Sequence, residues 1–128
     1  MRQSYLIDTN VISDFLEKSF NENGMSFLKI VINDIPEISF ITKIELLSWK
    51  TTSDNEEIAK NFISFCKVIS ITDDIIANCV TIRRLKRIKT PDAIIAATAL
   101  SLDYTIITSN TKDFENIEGL KFLNPYKL

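Results

Sequence analysis

The chain has 128 residues, 45% hydrophobic and 25% charged, with a formal net charge of −2; that supports one domain with a real core and advertises no overall basic field for nucleic acid. It contains no histidine, which excludes Ser-His-Asp and Cys-His catalysis and any zinc site built on imidazole. Acid–base or metal chemistry must therefore run on carboxylates, Lys, Tyr or hydroxyls.

Two glycines and three prolines leave no low-complexity linker, and no internal repeat is visible, so residues 1–128 read as a single domain. "MRQSYLIDTN" meets an acid before any apolar stretch develops, unlike a secretory leader. The longest uncharged apolar run, Ala93 to Leu102, is too short to span a bilayer. Cys66 and Cys79 lie among apolar neighbours without C-x-x-C spacing, which predicts two buried, reduced thiols and suits a cytoplasmic protein.

In chain order, Tyr5-Leu6-Ile7 reads as a buried strand ending at Asp8. Apolar residues at 11, 12, 15 and 16 then fall at helical spacing. A second helix is expected over Ser26 to Asn33, stopped by Pro36, and Glu37 to Thr42 reads as a strand. "KIELLSWK" is helical, with its lone Trp49 expected to pack into core or interface rather than to stack on bases. "SDNEE" starts a further helix carrying Ile58, Phe62, Ile63 and Phe65. Val68 to Ile71 is a strand, "TDD" opens a helix running to about Lys89, and a helix apolar on every face starts at Pro91 and should be buried. Tyr104 to Ser109 and Leu120 to Asn124 complete the strands. Strands alternating with helices predict an α/β domain with a mainly parallel sheet, whose ligands collect beyond the carboxyl ends of the strands.

Asp8, Glu45 and Asp113 lie within a few residues of strand ends, and Asp92 opens the buried helix. Each has a local structural explanation. Thr90 and Pro91 read as the start of a helix whose first turn welcomes Asp92. Thr42 and Glu45 have capping-box spacing, and Asn110 and Asp113 repeat it. Thr72 with Asp73 and Asp74, and Ser53 with Asp54 and Glu56, show the same habit. Asp8 is different, because Thr9 and Asn10 can cap the next helix themselves; a turn made by its own side chain is the structural option. Carboxylates gathered at one sheet edge would raise one another's pKa, and Mg²⁺ or Mn²⁺ resolves such repulsion with oxygen ligands and retained waters. That chemistry suits phosphodiester hydrolysis without histidine.

"LIDTNVISDF", "ITKIELL", "KTPDAIIAATAL" and "IITSNTKDF" in series resemble the four motifs of PIN-domain ribonucleases, and more narrowly the VapC toxins of bacterial toxin–antitoxin pairs. The resemblance covers almost the whole chain. It implies a three-layer fold with a parallel five-stranded sheet flanked by helices. It also implies an Mg²⁺- or Mn²⁺-dependent endoribonuclease that hydrolyses transfer or ribosomal RNA with metal-activated water, leaving a 3′-hydroxyl and a 5′-phosphate. Carried onto this chain, Asp8 and Asp92 would be the chief metal ligands. Glu45 would bind metal or water and Asp113 would complete the acidic cluster, with Thr9, Thr108 and Asn110 hydrogen-bonding behind them. A homodimer and a VapB-type antitoxin are implied as partners.

"RRLKRIK" supplies Arg83, Arg84, Lys86, Arg87 and Lys89 just before the Asp92 helix. It reads either as a solvated helix end or as a rim that grips RNA phosphates. Three further functions compete with the toxin. A carboxylate-dependent phosphatase with Asp8 as nucleophile is disfavoured because Asn10 stands where a second acid is needed. A non-catalytic binding domain would have lost acids that are present here. A housekeeping RNA-processing nuclease of the same family is the nearest alternative.

Overall fold

In a computed structural model the chain is described over residues 4–17 and 20–128. Over these residues five short parallel strands alternate with helices: β1 (Tyr5–Ile7), β2 (Glu37–Ser39), β3 (Lys67–Ile69), β4 (Thr105–Ile107) and β5 (Lys121–Leu123). One ladder joins β1, β4 and β5, and a second joins β2 and β3. β1 lies beside β2, so the order across the molecule is β3-β2-β1-β4-β5. In the central pair Tyr5 faces Thr105 and Ile7 faces Ile107. This register brings the residues just past each strand, Asp8 and Thr108, side by side.

Among the described residues seven helices cover the strands: α1 (Thr9–Leu16), α2 (Glu22–Asn33), α3 (Phe40–Leu47), α4 (Ser53–Ser64), α5 (Asp73–Leu85), α6 (Thr90–Leu102) and α7 (Thr111–Phe114). Two apolar clusters result. One gathers Leu6, Ile75, Ile95, Ile106 and Phe114 under α5, α6 and α7. The other gathers Ile7, Val11, Ile12, Leu28, Ile38 and Ile107 under α1 and α2. As its composition requires, α6 is the buried helix, with Ala93, Ala96, Ala97 and Ala99 all inaccessible; these small side chains let α5 lie close against it. Among the described residues no helix is long and apolar enough to cross a membrane.

Several boundaries differ from the sequence reading. The strand expected over Glu37 to Thr42 stops at Ser39, whose buried hydroxyl accepts from the Ile41 amide at 3.2 Å and starts α3 at Phe40. The helix expected from Ser26 begins at Glu22, capped by Asn21. Gly24 permits this: a Cβ there would sit 2.7 Å from the Pro125 carbonyl of the closing 3-10 turn, Pro125–Lys127. Thr52, rather than Ser53, caps α4, whereas Thr72 caps α5 as expected. Lys89, not Thr90, is the cap residue of α6. Finally, α5 ends at Leu85 instead of running to Lys89. Ile88 has to be buried against α6, so the backbone turns extended at Lys86. Cys66 and Cys79 are free thiols, as expected, but only half-buried; burial pushes the Cys66 thiol up to about 11.

Candidate active site

Asp8 is the first residue beyond β1 and itself caps α1 through its side chain, the local structural option that the sequence left open, while Thr9 and Asn10 lie inside the helix. Its Oδ1 accepts from the Thr9 amide at 2.8 Å and its Oδ2 from Thr108 Oγ1 at 2.8 Å. The carboxylate is only 5% exposed. Burial raises its pKa against the pull of these two hydrogen bonds, and the negative charges of Glu45 and Asp113 raise it further. Thr108, at the end of β4, also accepts from the Asn110 amide at 3.0 Å. Its hydroxyl is thereby fixed to donate toward Asp8.

Glu45 projects from α3. The capping box expected of Thr42 and Glu45 does not form, because the helix begins at Phe40. Instead Thr42, fully buried, shares a 3.1 Å hydrogen bond with the Thr9 hydroxyl, and Thr9 Oγ1 donates to Glu45 Oε1 at 2.8 Å. A hydroxyl has one hydrogen, so the proton of Thr9 goes to the carboxylate and Thr42 donates into Thr9. Thr42 therefore orients the group that orients Glu45. Sequence reasoning missed this role: a threonine three residues before an acid was the available signal, and the same spacing reads as a cap.

Asp92 lies in the first turn of α6, where unpaired amides favour a carboxylate. The net effect is nonetheless upward, to about 6, through burial first and then the charges of Asp113, Asp8 and Glu45, with Asp113 also within hydrogen-bonding reach. Asp113 sits on the single turn of α7. Asn110 precedes that turn but offers it no side-chain cap; its amide nitrogen donates to Asp113 Oδ2 instead. Four acids from four segments thus act on one another, and Thr9, Thr108 and Asn110 all hydrogen-bond to members of the group.

The donor set consists of oxygen ligands alone, which fits Mg²⁺ or Mn²⁺ and not a softer metal. Among the described residues no three His, Cys, Asp or Glu side chains are grouped so as to hold an ion outright. Asp8, Glu45, Asp92 and Asp113 do not line the hollow of about 660 Å³ at the amino ends of the strands, which is lined by Tyr5, Glu37, Lys67 and Tyr104 among others.

The basic run divides. Arg84, Arg87 and Lys89 are exposed. Arg83 is exposed too, but its Nε donates to the Ile88 carbonyl at 3.4 Å. Lys86 is half-buried and its ammonium donates to the carbonyls of Lys112 at 3.1 Å and Glu115 at 2.5 Å. A shallow hollow of about 410 Å³ lies among residues 83–88. Trp49 follows α3 and is half-buried.

A PIN-domain family model matches residues 5–120. Among solved structures, a chain of a toxin–antitoxin complex from Klebsiella pneumoniae is 32% identical, with 98% of this chain and 100% of that one covered at a TM-score of 0.75. FitAcB from Neisseria gonorrhoeae is 25% identical over 97% of this chain and 99% of that one, with a TM-score of 0.79. DNA-bound VapBC from Salmonella typhimurium shares the fold at a TM-score of 0.79, with 22% identity and coverage of 97% and 99%. No curated protein matches the sequence.

Proposed function

The chain belongs to the PIN-domain family, and from that membership we propose that it is the toxin of a toxin–antitoxin pair, an Mg²⁺- or Mn²⁺-dependent endoribonuclease that cleaves transfer or ribosomal RNA. The observation that carries the reading is the mutual approach of Asp8, Glu45, Asp92 and Asp113, close enough that burial together with the other three charges holds Asp92 at about 6. Repulsion of that kind costs stability unless something positive offsets it. The toxin role is supported by the 32% identity, over nearly the full length of both chains, to a chain of a toxin–antitoxin complex.

On this reading Asp8 and Asp92 hold the divalent ion, with Glu45 and Asp113 contributing directly or through water. When bound, the ion supplies positive charge for the phosphate and lowers the pKa of water. Asp8 is aimed by the Thr9 amide and Thr108, whose hydrogen bonds favour its charged form against the burial that raises its pKa. Glu45, exposed and steered by Thr9 and Thr42, is the group free to take a proton from the attacking water. Exposed Arg84, Arg87 and Lys89 meet the flanking phosphates. RNA is engaged where it is unpaired, since an A-form helix hides its major-groove base edges. A homodimer and a VapB-type antitoxin are the partners.

The test is induced expression in a bacterial host of wild type, Asp8→Asn and Asp92→Asn, with cellular RNA mapped for new 5′-phosphate ends. Growth arrest and discrete new ends with wild type alone are expected. Equal arrest by all three proteins would sink the nuclease reading. Discrete cleavage without arrest would favour an RNA-processing enzyme of the same family.

A further inference from the structure

By its place in the basic run Lys86 belongs with the phosphate-binding candidates, but its ammonium is turned inward onto another part of the protein. We infer that Lys86 is a positioning residue for the acidic centre: by gripping the one-turn helix α7 it sets where Asp113 stands relative to Asp92. This inference rests on the proposed metal-dependent site.

α7 has four residues and no side-chain cap at its start. A helix this short cannot hold its own geometry, because its terminal carbonyls lack internal partners. Phe114, fully buried, anchors the turn in the core, and on its leading side Asn110 is tied to Thr108 and to Asp113 itself. Lys86 adds the constraint on the backbone around Asp113, since its Nζ binds the carbonyls of Lys112 and Glu115, which flank Asp113 in the chain. A cation is the appropriate donor for the free carbonyls at a helix end.

The base of the tether is equally fixed. The Lys86 amide donates to the Ile82 carbonyl at 2.9 Å. Two residues on, Ile88 is buried, and its carbonyl is held by Arg83 Nε. The chain then enters α6 at Thr90 and reaches Asp92 in the first turn. Lys86 therefore joins the segment leading into Asp92 to the turn carrying Asp113, and the bond constrains how the two acids stand relative to one another. A phosphate-gripping lysine would instead be extended into solvent.

The experiment measures Mn²⁺ affinity, by paramagnetic resonance of the free ion, for wild type, Lys86→Met, Lys86→Arg, Asp113→Asn and the double variant Lys86→Met/Asp113→Asn. Loss of a residue that orients a ligand typically weakens metal binding by about tenfold or more. Lys86→Met should show such a loss, Lys86→Arg should recover most of it, and Lys86→Met should add little once Asp113 is already Asn. Mn²⁺ affinity unchanged in Lys86→Met overturns the inference, as does a loss of the same size in both Asp113 backgrounds. An unaltered metal affinity combined with a raised KM for RNA returns Lys86 to the phosphate rim. Wild type that binds no Mn²⁺ removes the metal-dependent reading and this inference together, so the two failures are distinguishable. If Lys86→Met does not fold, Lys86→Gln keeps one short donor, and the same comparison with Asp113→Asn decides.

Discussion

Thr108 Oγ1 donates to Asp8 Oδ2 at 2.8 Å across a sequence separation of 100 residues. Both side chains are buried, and the bond closes the gap between the ends of the two central strands. It works against the burial that raises the Asp8 pKa. Thr108→Val keeps the shape and removes the donor. A hydrogen bond to a charged group contributes about 1.5–3 kcal/mol, so the variant should lose about 2 kcal/mol at pH 7 in urea unfolding. Activity should fall with it, because Asp8 then holds its proton to higher pH. A variant as stable and as active as wild type would show that Thr108 merely fills space.

Asp92 gives a pH dependence of definite sign. Its folded pKa is about 6 against an ordinary 3.8, so between those values the native state binds more protons than the unfolded chain. The contribution of Asp92 to the stability of the metal-free protein must then fall as pH rises through that window and level off above it. Asp92→Asn removes this contribution. The difference in stability between Asp92→Asn and wild type should therefore grow in favour of the variant from pH 4 to pH 7. A difference independent of pH would mean that Asp92 is solvated and remote from the other acids.

Much of this was legible from residues 5–8 and 90–102. An apolar strand ending in an acid, and a helix with alanines on every face, allow few arrangements in a domain of this size. The boundary at Ser39 was hidden because Ile38, Phe40, Ile41 and Thr42 all favour a strand locally; the buried serine cap outweighs that preference. The end of α5 was hidden for the opposite reason. Residues 83–89 are good helix formers, and only the burial of Ile88 against α6 turns the chain away. The bond from Lys86 to residues 112 and 115 leaves no local trace, since it joins segments 26 and 29 positions apart.

Addition of the ion should reverse the penalty of the crowded acids. A ligand that binds only the folded state stabilises it by about 2.7 kcal/mol at a concentration 100 times its Kd. Mg²⁺ or Mn²⁺ should accordingly raise the Tm of wild type, and a chelator should return it to the metal-free value. Asp8→Asn should lose most of this shift because one of the two main carboxylates is gone. Ca²⁺, K⁺ and Mg²⁺ raising Tm equally in both proteins would point to general screening of charge instead of a site.

Arg84 and Arg87 are exposed and adjacent to the segment that leads into Asp92, whereas Lys86 is committed elsewhere. If these two arginines meet phosphates, each Ala substitution should weaken binding of unpaired RNA. It should also flatten the salt dependence by about 0.7 in log–log slope for each phosphate no longer neutralised. Mn²⁺ affinity should stay at the wild-type value, because among the described residues neither side chain hydrogen-bonds to the acids or to α7. The measurement is a salt titration of RNA binding with the catalytically silent Asp92→Asn background, so that the RNA survives. An unchanged slope in both variants would assign residues 83–89 to solvent at the end of α5. A loss of Mn²⁺ affinity would instead make them part of the scaffold that holds α6.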